Sequence, residues 1–363
     1  GKPLARPTRL PTRFSPDATI TFAPDSRVFK IEGLEIHDVS AGDLLVARSP
    51  EHFIGTPLSQ SALAFSADAA LVAAPLWKWE KRGDGRDLVN HGIQVWELAT
   101  GSPVVHLPAK TFAEIAFSPD GRLLVAADSD DIHAWEIATG KEVYRQAVRE
   151  HLLNEHGCPL VFSPDGRTLA TALQDTTITI WDLSAIRRVD TAMPPLTAKQ
   201  QDALWTDLAG KDAARAYAAI GELTARPEQT VALFRQRLRP VAPLPAEPLQ
   251  RAIADLDSSE YGRREAASRR LADMRPLADS ALREALTKKP SLEMRIRIES
   301  LLSERVVRAL SAETLRELRA MRVLEQIGST EAREQLKFLA SGAPHARRTE
   351  AAQSALQRLS QRH

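Results

Sequence analysis

From Val161 to Leu183, VFSPDGRTLATALQDTTITIWDL, short apolar stretches are separated by polar turns. The pattern predicts a short apolar strand, a Ser-Pro-Asp-Gly turn, a second strand, a polar turn and a third strand ending in Trp181-Asp182. Pro164 presets φ for its turn position, and Gly166 supplies the positive φ at which the chain re-enters a strand. Ile178 and Ile180 alternate with Thr177 and Thr179, so the third strand has one apolar, β-branched face. A three-strand meander of this size cannot bury its own faces, which predicts neighbours of the same kind.

The neighbours are present. The turn recurs from Phe22, Phe65, Phe117 and Phe162, at spacings of 43, 52 and 45 residues. The Trp-Asp position recurs as His37-Asp38, Trp96-Glu97, Trp135-Glu136 and Trp181-Asp182. Three copies then enter a polar glycine turn, at Ser40-Ala41-Gly42, Ala99-Thr100-Gly101 and Ala138-Thr139-Gly140.

A period near forty with these two landmarks resembles the WD-repeat β-propeller family, in which each repeat forms one antiparallel four-stranded blade. The resemblance covers about residues 1–185 and implies about four blades over 1–190. In that family a histidine before the first strand joins a buried hydrogen-bond set with an aspartate in the turn before the Trp strand. Asp175 and Trp181 match two of those positions, and Trp135 and Trp96 match the Trp position in earlier copies; no Gly-His dipeptide precedes any copy. The opening GKPLAR reads like Gly140-Lys141-Glu142-Val143-Tyr144-Arg145, a turn and outer strand, so the chain is expected to start inside a blade of a longer protein. The fourth copy lacks a clean outer strand after Ser184.

The second copy carries the largest insertion, PLWKWEKRGDGRDLVNHG, between the strands Leu71–Ala74 and Ile93–Leu98. This predicts an extended hairpin with Gly83-Asp84-Gly85 as turn chemistry at its tip. Trp77, Trp79, Lys81 and Arg82 form a candidate partner contact, because exposed indoles beside cations are hot-spot composition. The alternative is that the indoles pack on the blades and hold the hairpin.

From Thr197 the period changes to that of helices, which places the helical part over 191–363. A first set over 197–239 has start signals at Thr197, Asp212 and Pro227-Glu228. A proline-rich link at 240–246 follows, then a second set over 247–363. Within it YGRREAASRRLADMRPLADSALREAL and LRAMRVLEQIGSTEAREQLKFLA echo each other. The echo resembles the HEAT-like helical repeat family, whose helix pairs stack into a solenoid; a helical bundle is the alternative. Degenerate WD repeats with a HEAT-like tail are similar to large bacterial multidomain proteins in which both parts are interaction surfaces. Residues 197–363 are expected to fold independently, whereas 1–190 alone are expected to be marginally stable, with an open sheet edge prone to self-association.

Charge adds one observation. The chain carries 48 Lys+Arg against 47 Asp+Glu, a net +1. Residues 197–363 hold 29 of those cations and 22 of the acids, a net +7, which leaves −6 for the rest. Docking between the halves, a polyanionic partner and ordinary solvated surfaces all fit that split. Arginines 263, 264, 269, 270, 295 and 297 are interleaved with glutamates, the pattern of a salt-bridged helix face, so nucleic-acid binding is not expected.

No known catalytic motif is present, so no enzyme activity and no cofactor are expected. The Asp128, Asp130, Asp131 turn lacks the glycine and spacing of a calcium loop. His151, Glu155 and His156 place the glutamate one residue late for a zinc-peptidase signature, so no metal is expected. Cys158 is the single cysteine, which excludes an internal disulfide, and no apolar run reaches membrane-spanning length. A cytoplasmic setting is favoured. The expected function is a non-enzymatic scaffold that binds proteins through blades and helical repeats. The alternative is the sensor or regulatory part of a larger enzyme or signalling protein.

Overall fold

A computed structural model of the chain describes residues 21–22, 28–31, 35–38, 44–47, 63–82, 85–109, 114–127, 131–148, 159–172, 176–186, 193–275, 277–303 and 310–362. Across 21–47, and at 77–79, 82, 86–88 and 303, the description is of the backbone.

Antiparallel meanders come first. Strands β1 (Thr21–Phe22), β2 (Val28–Ile31), β3 (Glu35–Asp38) and β4 (Leu44–Ala47) form one four-stranded sheet. A second contains β5 (Ala64–Phe65), β6 (Leu71–Arg82), β7 (Gly85–Glu97) and β8 (Pro103–Leu107). A third contains β9 (Glu114–Phe117), β10 (Leu123–Ala127), β11 (Asp131–Glu136) and β12 (Glu142–Ala147). The fourth has three strands among the described residues: β13 (Leu160–Phe162), β14 (Thr168–Ala172) and β15 (Ile178–Asp182).

The recurring Ser-x-Asp turn has one geometry in three sheets. The hydroxyls of Ser66, Ser118 and Ser163 each donate to the aspartate two residues on, at 2.6 Å. Each serine oxygen also accepts the amide of the residue opening the next strand, Leu71, Leu123 or Thr168, at 2.9–3.0 Å. The turn satisfies its own polar groups, which lets it sit at the end of a buried strand. Gly121 and Gly166 hold its left-handed position at φ 64° and 70°, and in the second sheet Ala69 holds it at 52°.

One register row explains how the sheets stack. Phe65, Val72 and Trp96 lie across one another, as do Phe117, Leu124 and Trp135, then Phe162, Leu169 and Trp181. The third sheet's row is buried in a core shared with Ala64, Ala73, Ile93 and Val95 of the second. The fourth sheet's row packs against Val125, Ala127, Ile132 and Ala134 of the third. First strands also meet, β5 against β9 and β9 against β13. The second, third and fourth sheets thus stack face to face with their first strands side by side, a propeller-like arrangement.

Ten helices follow among the described residues: α1 (Ala198–Asp207), α2 (Ala213–Thr224), α3 (Pro227–Arg237), α4 (Ala246–Asp255), α5 (Tyr261–Asp273), α6 (Asp279–Thr287), α7 (Leu292–Ser303), α8 (Ala312–Ile327), α9 (Thr330–Ala340) and α10 (Arg347–Gln361). Thr197 and Gln200 form a capping box on α1, Asp212 caps α2, and Pro227 occupies the first turn of α3. Gly328 closes α8 at φ 62°, and Ser329 then caps α9, so α8 and α9 turn within three residues.

The helices belong to two cores. Leu271, Leu282 and Ile298 centre a cluster formed by α4 to α7. Leu223, Phe234, Val323, Leu336 and Leu359, from α2, α3, α8, α9 and α10, share a core with the second and third sheets. This grouping differs from the one the proline link suggested, because α8 to α10 return to α2 and α3. The link itself packs on the α9–α10 turn, where the Ala343 amide donates to the Val241 carbonyl at 2.7 Å. Sheets and helices also approach closely: a Cβ on Gly221 of α2 would lie 2.7 Å from the Ala138 Cβ. In this continuous core each part covers apolar surface that the other would expose.

Candidate functional site

The long insertion is one ribbon. β6 and β7 pair without a break in topology from Leu71 opposite Glu97 to Arg82 opposite Gly85, with a register shift between Pro75 and Trp77. β5 flanks it at Val72 and Ala73, and β8 flanks it from Ile93 to Trp96. Beyond Pro75 the ribbon is two-stranded, and its last pairs span about 20 Å at about 3.3 Å per residue. Gly92 makes the base possible: its φ is 106°, and a Cβ there would meet the Leu107 carbonyl at 2.4 Å.

Trp77 stands opposite Asn90, Trp79 opposite Leu88, and Lys81 opposite Arg86. Positions 77, 79 and 81 share one face of the strand by the two-residue period, with Arg82 at the last pair before the tip. Lys81 and Glu80 are exposed, and Glu80 Oε1 lies 2.9 Å from His91 Nε2. The register therefore puts both indole positions and Lys81 on one face of the two-stranded part of the ribbon.

The Trp-Asp positions serve packing. Trp135 is fully buried and stacks on His133, with centroids 5.3 Å apart. Trp96 packs beside Val72 and Ala74. Trp181 Nε1 donates to Thr171 Oγ1 at 2.9 Å. Asp175, and the near-miss metal residues Asp128, Asp130, His151, Glu155, His156 and Cys158, lie outside the described residues. Asp131 accepts two hydrogen bonds from Arg145, at 3.1 and 2.5 Å. Among the described residues, no group of three or more His, Cys, Asp or Glu side chains is placed to hold a metal.

Helix α8 supplies the feature that sequence reasoning missed. It is buried on every side from Arg319 to Glu325, with α2, α3, α9, α10 and two sheets around it. Arg319 Nε and Nη2 donate to the two Glu97 carboxylate oxygens at 2.9 and 2.6 Å, and its Nη1 reaches the carbonyls of Leu208 and Gly210. Arg322 donates to Asp68 at 2.8 Å, to the Tyr217 hydroxyl at 3.2 Å and to the Gly121 carbonyl at 3.1 Å. One helix thus holds both acidic landmarks of the second sheet: Asp68 of its Ser-x-Asp turn and Glu97 of its Trp-Asp position. Gln326 and Arg362 extend the contact to the third sheet's turn, at the carbonyls of Asp120 and Pro119.

The electrostatics follow from burial. Burial works to raise the Asp68 carboxyl, but Arg322 and the Ser66 hydroxyl outweigh it and hold the group below the usual carboxylate range. Burial pushes the Tyr217 phenol up, so it stays neutral and serves as an acceptor for Arg322. Two ion pairs, Arg319 with Glu97 and Arg322 with Asp68, thus set cations of the helical part on acids of the second sheet. The available signal was Arg319 and Arg322 at helical spacing inside an otherwise apolar stretch, with no acid three or four residues away to satisfy Arg319 on its apolar side.

A cleft of about 960 Å³ lies between the third sheet's turns and α2–α3, lined among others by Gly121, Ile137, Thr139, Ile186, Tyr217 and Arg226. No helix among the described residues is long and apolar enough to cross a membrane.

Comparison with known proteins agrees with the repeat architecture. The chain is 28% identical to the Target of rapamycin complex subunit wat1 of Schizosaccharomyces pombe over 98 residues, which is 26% of this chain and 31% of that protein. The chain thus spans about a third of the length of that relative. The profile of the PQQ_2 family, described as outer membrane protein assembly factor BamB, matches residues 87–279, from β7 through the third and fourth sheets into α6. That match covers more than half of the sequence, and the chain belongs to this family of propeller-type repeat proteins.

Proposed function

We propose that the chain is a non-enzymatic protein-binding scaffold, with its stacked sheets and HEAT-like helix pairs both serving as interaction surfaces. The observation that carries this reading is the two-stranded outer half of the β6–β7 ribbon. Such a ribbon buries little of its own surface and is marginal alone in water. Here it has Trp77 and Trp79 on one face and cations towards its tip. Aromatic and basic residues on this ribbon match the composition of interface hot spots.

The helical part supports a protein partner over a nucleic acid. Arg297 is held by Glu265 and Glu293, Arg264 lies beside Glu293, and Lys288 pairs with Glu284. Those cations are neutralised within their own helices and neighbours, which leaves little net field for phosphates. The wat1 relative is by its name a subunit of a complex, which agrees with protein partners.

The test is affinity capture on the immobilised chain, followed by calorimetry with the purified protein that is retained. A partner bound by the wild type, and about thirtyfold more weakly by Trp79→Ala, supports the reading; that ratio corresponds to about 2 kcal/mol. Substrate turnover by the chain itself, or unchanged affinity in a Trp77→Ala/Trp79→Ala variant, overturns it.

A further inference from the structure

The two faces of the outer ribbon differ in charge, as its register shows. Residues directly opposite on paired strands share a face. One face carries the pairs Lys78–Val89, Glu80–Asp87 and Arg82–Gly85, and the other carries Trp77–Asn90, Trp79–Leu88 and Lys81–Arg86. The acids of these paired stretches, Glu80 and Asp87, therefore both stand on the first face, with Lys78 and Arg82 at the flanking positions. That face balances its acids with as many cations, and Glu80 Oε1 also lies 2.9 Å from His91 Nε2. The second face has the cations Lys81 and Arg86 and no acid.

Lys81 and Arg86 stand directly opposite each other, and like charges at such a pair oppose strand pairing. Their neighbours along the same face are Trp79 and Leu88, which offer no counter-charge. Lys81 is exposed. An anionic group placed over the pair would remove the repulsion, and apolar groups would cover the positions beyond it. From the Lys81–Arg86 pair to the Trp77–Asn90 pair is about 13 Å, at about 3.3 Å per residue.

We propose that the protein partner of the ribbon presents an acidic, extended segment along this face, with a carboxylate over Lys81 and Arg86 and large apolar side chains over Trp77 and Trp79. The proposal rests on the reading of the ribbon as a partner contact and adds the chemistry of what it contacts. An acid with apolar residues at a two-residue spacing matches the period of the ribbon, so about five residues of an extended partner span the face. A bilayer fits less well, because apolar groups enter it ahead of cations, whereas here the cations stand nearer the turn than the indole positions. A single-stranded nucleic acid needs cations along its whole stacking face, and the Trp77–Asn90 and Trp79–Leu88 pairs carry none.

The test selects displayed random peptides on the immobilised full chain and measures the retained sequences, as synthetic peptides, by calorimetry. The retained peptides are expected to combine Asp or Glu with large apolar residues at a two-residue spacing. Lys81→Glu/Arg86→Glu is expected to weaken them about tenfold or more, while Lys81→Arg/Arg86→Lys keeps their affinity. A peptide with Lys in place of its acid is expected to prefer the charge-reversed variant. Retained peptides that are neutral or basic, or that need Trp77 and Trp79 yet bind the charge-reversed variant unchanged, overturn the acidic partner and leave the ribbon a contact surface. Peptides unaffected by Trp77→Ala/Trp79→Ala overturn that reading as well. Retention of no peptide also overturns the proposal; binding of phosphatidylserine vesicles or of oligothymidylate that is lost in Lys81→Glu/Arg86→Glu then assigns the face to a lipid or a nucleic acid.

Discussion

Arg319 and Glu97 lie 222 residues apart in sequence and meet through two hydrogen bonds of 2.9 and 2.6 Å, with both side chains 3% exposed. Removing two charges from water costs about as much as their attraction returns, so such a pair adds little net stability while making any other arrangement costly. Its effect is to define where α8 sits on the second sheet. Arg322 does the same one turn on, at Asp68.

Replacing one partner of this pair leaves the other charge buried and uncompensated. Arg319→Met is expected to destabilise the chain by about 3–5 kcal/mol in urea unfolding. Combining it with Glu97→Leu should recover part of that loss, giving a coupling energy above about 1 kcal/mol in the double-mutant cycle. Additive single effects would show that the two side chains act independently.

The Asp68 carboxylate makes an acid-dependent contribution. Its folded pKa is depressed below the unfolded value of about 3.9, so its stabilisation is complete above about pH 4 and is lost as pH falls through the folded value. Asp68→Asn should be several kcal/mol less stable than wild type at pH 6, with the gap narrowing below pH 4. Stability curves that run parallel from pH 6 to pH 2 would count against this assignment.

Ala69 occupies the left-handed turn position that glycine holds in the third and fourth sheets. A Cβ in that region costs about 1 kcal/mol, more than the extra unfolded-state entropy of glycine takes away. Ala69→Gly is therefore expected to stabilise the chain by about 0.5 kcal/mol, read as a raised denaturation midpoint at unchanged m-value. A lowered midpoint would contradict the strain argument.

The indoles of the ribbon separate two roles by where the loss falls. If they serve as partner contacts, Trp77→Ala and Trp79→Ala should leave the melting temperature within about 2 °C of wild type while weakening partner binding, since surface changes fall within about 0.5 kcal/mol. Indoles packed on the sheets would instead cost about 3 kcal/mol of stability on truncation. Lost stability with intact binding would reverse the assignment.

Local features were legible in the sequence because each is set by residues near one another. The Ser-x-Asp turns, the repeated strands, the long hairpin around Trp77 and Trp79, and the caps at Thr197 and Asp212 all follow from spacing and turn chemistry. What stayed hidden depends on contacts across the chain. Arg319 and Arg322 look like surface charges of a helical repeat until Glu97 and Asp68 stand beside them. The return of α8 to α2 leaves no local trace either, because Leu324 and Leu282 have the same periodic surroundings yet enter different cores. The exposure of Ile178 and Ile180 was invisible for the opposite reason, since their alternation is identical to that of buried strands.

The account rests on the sheets and α8 forming one cooperative unit that holds the ribbon in place. Native-state hydrogen exchange on the intact chain tests this directly, by comparing amides of α8 with those of β7 and β10 in the wild type and in Arg319→Met. The account predicts that the three elements share one opening free energy in the wild type and lose protection together in the variant. Loss of protection confined to α8, with β7 and β10 unchanged, would contradict it.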